Sequence, residues 1–158
     1  MTAPVAGARV DPVGIKLEDG YRTLLACAAN PDVSFWERTI KPPGLDGGDE
    51  IDTTTMHNDT WRTRAPRALV TMTEATMTAG YDPNIYNDIL SVLNVETTWT
   101  VHFPDGSTLA FFGFLKNFDT NELSEGEFPT ASISVVPTNS DPITGVEEAP
   151  VLTSVAGT

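Results

Sequence analysis

The stretch Thr97 to Phe118, TTWTVHFPDGSTLAFFGFLKNF, constrains the fold of this chain more than any other, because it reads as a β-hairpin. Its first half alternates strictly. Trp99, Val101 and Phe103 fall on one face and Thr98, Thr100 and His102 on the other, the period of a half-buried strand. Pro104-Asp105-Gly106 then reverses the chain: Pro presets the first corner and Gly supplies the positive φ. In the second half, Leu109 to Leu115, apolar side chains occupy both parities. Both faces of that strand therefore need a cover, one from the core and the other from a packed helix or another subunit.

Around this hairpin the other segments fall into place. Residues 1–12 are rich in Ala, Pro and Gly without periodicity and are expected to form a flexible arm. Gly14 to Leu17, Asp19-Gly20 and Tyr21 to Leu25 read as strand, turn and strand. Val33 to Ile40 reads as a further strand after the break at Asn30-Pro31, and Arg67 to Ala79 as another, rich in threonine. Between them, residues 41–60 carry prolines, glycines, acids and a threonine run, the composition of a long loop. A loop of that length in one domain is commonly functional, and Leu45, Ile51, Met56 and the nearby Trp61 favour an ordered contact surface.

One helix is expected, over residues 83–93. Asp82 is its N-cap, Pro83 takes the first position where its missing N–H is harmless, and Ile85, Ile89, Val92 and Leu93 line one face. Asn94 closes it. After the hairpin, Asp119 to Pro129 is a polar loop, and Thr130 to Val136 alternates as a strand with Ala131, Ile133 and Val135 inward. Residues 138–158 lack core-forming periodicity and read as a C-terminal arm. The fold class is mainly β: an antiparallel sandwich or barrel flanked by one helix, as a single domain over residues 13–137 between two arms.

A chain of 158 residues with 40% hydrophobic side chains can bury a core without staples. No apolar run reaches membrane-spanning length, so no membrane insertion is expected, and MTAPVAGARVDPVG lacks the apolar centre of an export signal. The Asn58-Asp59-Thr60 sequon carries no weight in that setting. The single cysteine, Cys27, suits a reducing compartment and reads as a small buried hydrophobe. A formal net charge of −13 disfavours a sequence-reading DNA binder, whose affinity comes from cations that replace condensed counterions.

Catalytic patterns are missing from the sequence. No nucleophile elbow, P-loop or H-E-x-x-H occurs, and His57 and His102, the 2 histidines, read as surface residues. The chain is expected to be no enzyme and to use no cofactor or metal. Asp46, Asp49, Glu50 and Asp52 crowd around Gly47-Gly48, but without the ligand order of a calcium loop they read as a solvated acidic segment.

Several short motifs occur together in a telling order: Ser34-Phe35-Trp36-Glu37, Pro42-Pro43-Gly44-Leu45-Asp46-Gly47-Gly48, and Ile51-Asp52-Thr53-Thr54-Thr55-Met56. They are followed by Trp61-Arg62-Thr63, Ala65-Pro66-Arg67, Tyr81-Asp82-Pro83, Phe103-Pro104-Asp105-Gly106-Ser107, and Ser124-Glu125-Gly126-Glu127 with Pro129-Thr130. This order resembles the major tail tube protein of long flexible-tailed, siphovirus-type bacteriophages, over roughly Gly14 to Pro137. The resemblance implies a β-sandwich subunit that forms hexameric rings stacked into a hollow tube, through which the genome passes to the host. It implies a place in the virion tail, assembly in the bacterial cytoplasm, and as partners further copies of itself, a tape measure protein, a tail terminator and distal tail or baseplate proteins. DNA would pass without sequence-specific contact, favoured by a negative lumen. From its strand, Glu74 is assigned to that lumen.

In such an assembly, sheet edges and a doubly apolar strand invite a neighbouring subunit, and head-to-tail contacts close into rings. The long loop and both arms would reach adjacent rings. Trp36, Pro42, Leu45, Ile51, Met56 and Trp61 are the expected inter-subunit contacts, against the alternative that the two tryptophans are core. Some relatives carry an extra immunoglobulin-like domain, for which the segment from Thr138 is too short. Two other readings stand beside this one: a tube subunit of a related contractile injection or secretion machine, and a monomeric ligand-binding β-sandwich.

Overall fold

A computed structural model describes residues 23–154 apart from Pro31 and Ser34. The expected strand at Gly14 to Leu17, its Asp-Gly turn and the N-terminal arm lie outside the described residues. The strands, in chain order, are β1 (Leu24–Cys27), β2 (Trp36–Lys41), β3 (Leu45–Asp46), β4 (Ile51–Asp52), β5 (Arg64–Ala65), β6 (Thr71–Met72) and β7 (Ala75–Gly80). A 3-10 turn (Pro83–Ile85) leads into helix α1 (Tyr86–Val92), followed by β8 (Thr97–His102), β9 (Thr108–Thr120), β10 (Thr130–Pro137) and β11 (Val151–Thr153).

The hairpin expected at Thr97 to Phe118 forms as β8 and β9, in register from Thr97 opposite Gly113 to His102 opposite Thr108. Gly106 adopts φ 91° at its turn, a conformation that costs glycine little. Trp99 and Val101 are fully buried while His102 is exposed. Strand β9 is the longest element and organises the rest. It pairs with β8 on one side; on the other it pairs with β10 over its second half and with β11 at its start. The main antiparallel sheet runs β1-β8-β9-β10-β7-β2, with β11 added to β9. It curls until its two end strands meet, where the Leu25 N–H donates to a Glu37 carboxylate oxygen at 3.1 Å.

One core fills the curl. Leu25, Met77, Trp99, Val101, Phe111, Leu115, Ile133 and Val135 come from the sheet, and Ile89 and Val92 from the helix that closes it. The helix begins as expected: the Asp82 side chain accepts from the Asn84 N–H at 3.0 Å, with Pro83 directly after it. Its first turn is 3-10, and it ends at Val92, where Asn94 at φ 60° turns the chain so that its N–H reaches the Leu115 carbonyl. Of the two covers required by β9, the core and helix supply one, over Phe111 and Leu115. Ala110, Phe112 and Phe114 on the opposite face stay half-buried.

Four expectations need correction. The strand expected at Val33 starts only at Trp36. Residues 41–60 are no simple loop: β3 pairs with β6 and β4 with β5, nested above the β2–β7 pair, so that residues 41–75 form one long hairpin arm. The strand expected over Arg67 to Ala79 is correspondingly divided, its first part belonging to the arm and only β7 to the main sheet. The C-terminal segment is no free arm throughout, because after a turn at Asp141 to Gly145 it returns as β11.

Among the described glycines, Gly113 leaves the least room for a side chain. A Cβ there would lie 2.6 Å from the Val136 carbonyl oxygen, which is backbone and cannot rotate away. Replacing Gly113 with alanine is expected to destabilise the fold by about 2 kcal/mol, the usual cost of overpacking. Chemical denaturation checks this; a change below about 0.5 kcal/mol would mean that β10 shifts freely at this point.

Candidate assembly interface

The arm is built from short paired pieces separated by turns. Gly44 holds its base, donating to Thr73 Oγ1 and accepting from the Thr73 N–H, both at 2.8 Å. Further out, the Thr53 N–H meets the Thr63 carbonyl at 3.0 Å, and at the apex the Asn58 side chain bridges the Thr55 N–H and the Trp61 carbonyl. Asp46 and Asp52 each accept from the N–H two residues on, Gly48 and Thr54, in turns that such side chains favour. The backbone N–H of Thr54, then its hydroxyl, and further off Arg64 hold the Asp52 carboxyl below its ordinary value. That bonding is in place at neutral pH and is lost as pH falls through the lowered value. Among the described residues, no three His, Cys, Asp or Glu side chains converge on a metal-binding point.

The arm's side chains are largely in water. Leu45 is 73% exposed, Met56 99% and Trp61 80%, while Ile51 is less so and Pro42 is half-buried at the base. Leu69 and Val70 on the returning limb are also exposed, and sequence reasoning missed them. The alternative that the tryptophans belong to the core does not hold in this structure. Trp36 is exposed too, but elsewhere: it pairs with Gly80, whereas the arm leaves from the Lys41–Thr76 end of the same β2–β7 ladder. The six expected contact residues thus divide into five on the arm and its base, and one at the opposite end of the strands.

At that opposite end a second apolar patch surrounds Trp36. The Gly80 position, which lacks a Cβ, is overhung by the Phe128 ring and the Trp36 Cβ, and Arg38 stacks over the Phe128 ring at 5.1 Å. Phe128 and Leu123 lie in the loop joining β9 to β10 and are both mostly exposed. Nothing in the period of that loop marks them, since it reads as a plain acidic turn.

Glu74 stands between β6 and β7 at the base of the arm and pairs with Lys116 at 3.0 Å. Lys116 reaches it from a β-bulge, where β9 carries an extra residue opposite Ser134 and Val135 of β10. The pair is partly exposed and so contributes little to stability. His57 and His102 are both exposed and Cys27 is a buried free thiol.

No family model matches the sequence, and the curated proteins compared with it yield no match. Solved structures share the fold. A chain in the virion of a native gene transfer agent particle superposes with a TM-score of 0.61 at 12% identity, covering 87% of this chain and 99% of its own. A chain in the tail of an empty gene transfer agent particle, determined with C6 helical symmetry, gives 0.57 at 12% identity over the same shares. A chain in the six-fold symmetrised baseplate of the anti-feeding prophage gives 0.58 at 8% identity, covering 98% of this chain and 99% of that one. What is common to all three and to this chain is the curled antiparallel β-fold.

Proposed function

We propose that this chain is a structural subunit of a phage-type tail, assembling into six-membered rings that stack as a hollow tube for DNA. The observation that carries the reading is the arm. A hairpin that holds Leu45, Met56 and Trp61 in water offers a surface for a partner, and each large apolar side chain so covered contributes about 1.5–3 kcal/mol to association. The fold's presence in assemblies of six-fold symmetry supports the ring number. A net charge of −13 supports passage of DNA without adhesion, although Glu74, paired with Lys116, is a weaker candidate for the lumen than its strand suggested. In this reading the partners are further copies of the chain, a tape measure protein, a terminator and distal tail or baseplate proteins, and the protein resides in the virion.

The likeness to the anti-feeding prophage baseplate extends over nearly the whole chain and favours a second reading, a tube or hub subunit of a contractile injection machine. Co-purification with a sheath protein from the source particle separates the two. Sedimentation over a concentration series tests both against a monomeric binding module. The tail readings predict species of at least six times the chain mass; a single monomeric boundary at every concentration, unaltered by added tail-end complexes, would overturn them.

A further inference from the structure

The 4 methionines of the chain fall into different settings. Met72 and Met77 are buried in the core cluster, which also holds the Cys27 thiol, and Met1 lies outside the described residues. Met56 is 99% exposed, more than any other large apolar side chain among the described residues. It stands at a corner of the apex turn, where hydrogen bonds fix the backbone on both sides of it. The Asn58 N–H donates to the Thr55 carbonyl at 3.2 Å, and the His57 N–H donates to Thr55 Oγ1 at 3.2 Å. The Asn58 side chain accepts from the Thr55 N–H at 3.0 Å and donates to the Trp61 carbonyl at 2.8 Å. Exposed turn corners ordinarily carry Gly, Asn, Asp or Ser, which suit the backbone there, so the turn itself does not call for a thioether.

Resting on the tail-subunit reading, we propose that Met56 is a reversible oxidation site, whose thioether form permits association and whose sulfoxide form opposes it. The oxidant is hydrogen peroxide. A sulfur lone pair attacks one peroxide oxygen, the O–O bond breaks as the S–O bond forms, and the second oxygen leaves with both protons as water. Sulfur is oxidised by two electrons and the peroxide is reduced by two. A methionine sulfoxide reductase reverses the change with electrons from a dithiol, yielding water and a disulfide. Access of peroxide to the lone pair sets the selectivity: Met56 meets solvent, whereas close packing shields Met72 and Met77. The product replaces a soft apolar group with a polar one at the apex, and a sulfoxide oxygen covered without a donor lowers affinity. A partner that covers Met56 also excludes peroxide, so the reaction acts on free subunits and spares assembled ones.

Peroxide treatment of the full chain, followed by peptide mass mapping and an assembly assay, provides the test. Met56 should gain one oxygen at least about tenfold faster than Met72 or Met77, with no change in melting temperature. The oxidised protein should need at least about tenfold more chain to assemble, and a methionine sulfoxide reductase with dithiothreitol should restore the original threshold. In Met56→Leu, which keeps an apolar side chain without sulfur, treated and untreated samples should assemble at one and the same threshold, and this removes Met1 as the cause. Preformed assemblies should show Met56 protected. If the untreated chain assembles, three results would each overturn the proposal and leave the tail reading standing: Met72 or Met77 reacting as fast as Met56, full conversion of Met56 without effect on assembly, or an equal peroxide response in Met56→Leu. If the untreated chain assembles under no condition, the tail reading fails and takes this oxidation control with it.

Discussion

Replacing Trp99 with alanine is expected to destabilise the fold by about 4 kcal/mol, the range found when a large aromatic leaves a core that cannot collapse behind it. Trp99 is completely buried in β8, opposite Phe111 of β9 and Cys27 of β1, so the void would open at the centre of the curled sheet. A loss of that size is a large part of the 5–15 kcal/mol that holds a typical domain together, and the variant should be partly unfolded at physiological temperature. Phenylalanine should be much milder. Among the described residues the buried Trp99 indole N–H has no hydrogen-bond partner, and a buried orphan donor costs about 1–3 kcal/mol, so removing it offsets part of the lost volume. Urea denaturation of both variants by far-UV circular dichroism checks this; a loss below about 1.5 kcal/mol for alanine would mean that the sheet repacks around the gap.

Shortening the arm should separate folding from assembly. Leu45 and Met72 face each other in register, so Asp46 to Thr71 can be replaced by an Asn-Gly turn, which suits a two-residue hairpin connection. The replacement retains Gly44, which anchors the base, and Met72, which is in the core, and removes Ile51, Met56, Trp61 and the arginines. Because the deleted residues are mainly exposed, the shortened protein should melt within about 5 °C of the parent. Its assembly should be lost across the whole concentration range. Tubes of normal length from the shortened protein would show that the arm is not an inter-ring contact.

How much of this was legible beforehand depended on the periodicity of each segment. The β8–β9 hairpin, β10 and the helix carried strong alternation or a 3.6-residue stripe, bounded by Asp82, Pro83 and the Pro104 turn, and they form where expected. The arm was hidden because its ladder consists of pairs of two residues, too short to show a period of two between glycines and prolines. The division of Arg67 to Ala79 was hidden for a related reason: its β-branched and apolar residues read on without a break, although Thr73 and Glu74 interrupt the ladder. Strand β11 is short and exposed at each of its residues, so no apolar face announced it. Exposure was the least legible property. Trp36 and Phe128 have a composition that suits a core, and only the topology places them together over Gly80, at the far end from the arm.

Negative-stain electron microscopy of the purified protein, with and without an added tail-end complex, shows whether the chain builds a tube. Hollow particles are expected, with end-on views of six-fold symmetry and lengthening into filaments as concentration rises. Monodisperse single chains at every concentration and with every initiator would contradict it, and would leave the arm's exposed Met56 and Trp61 to be explained by a different partner.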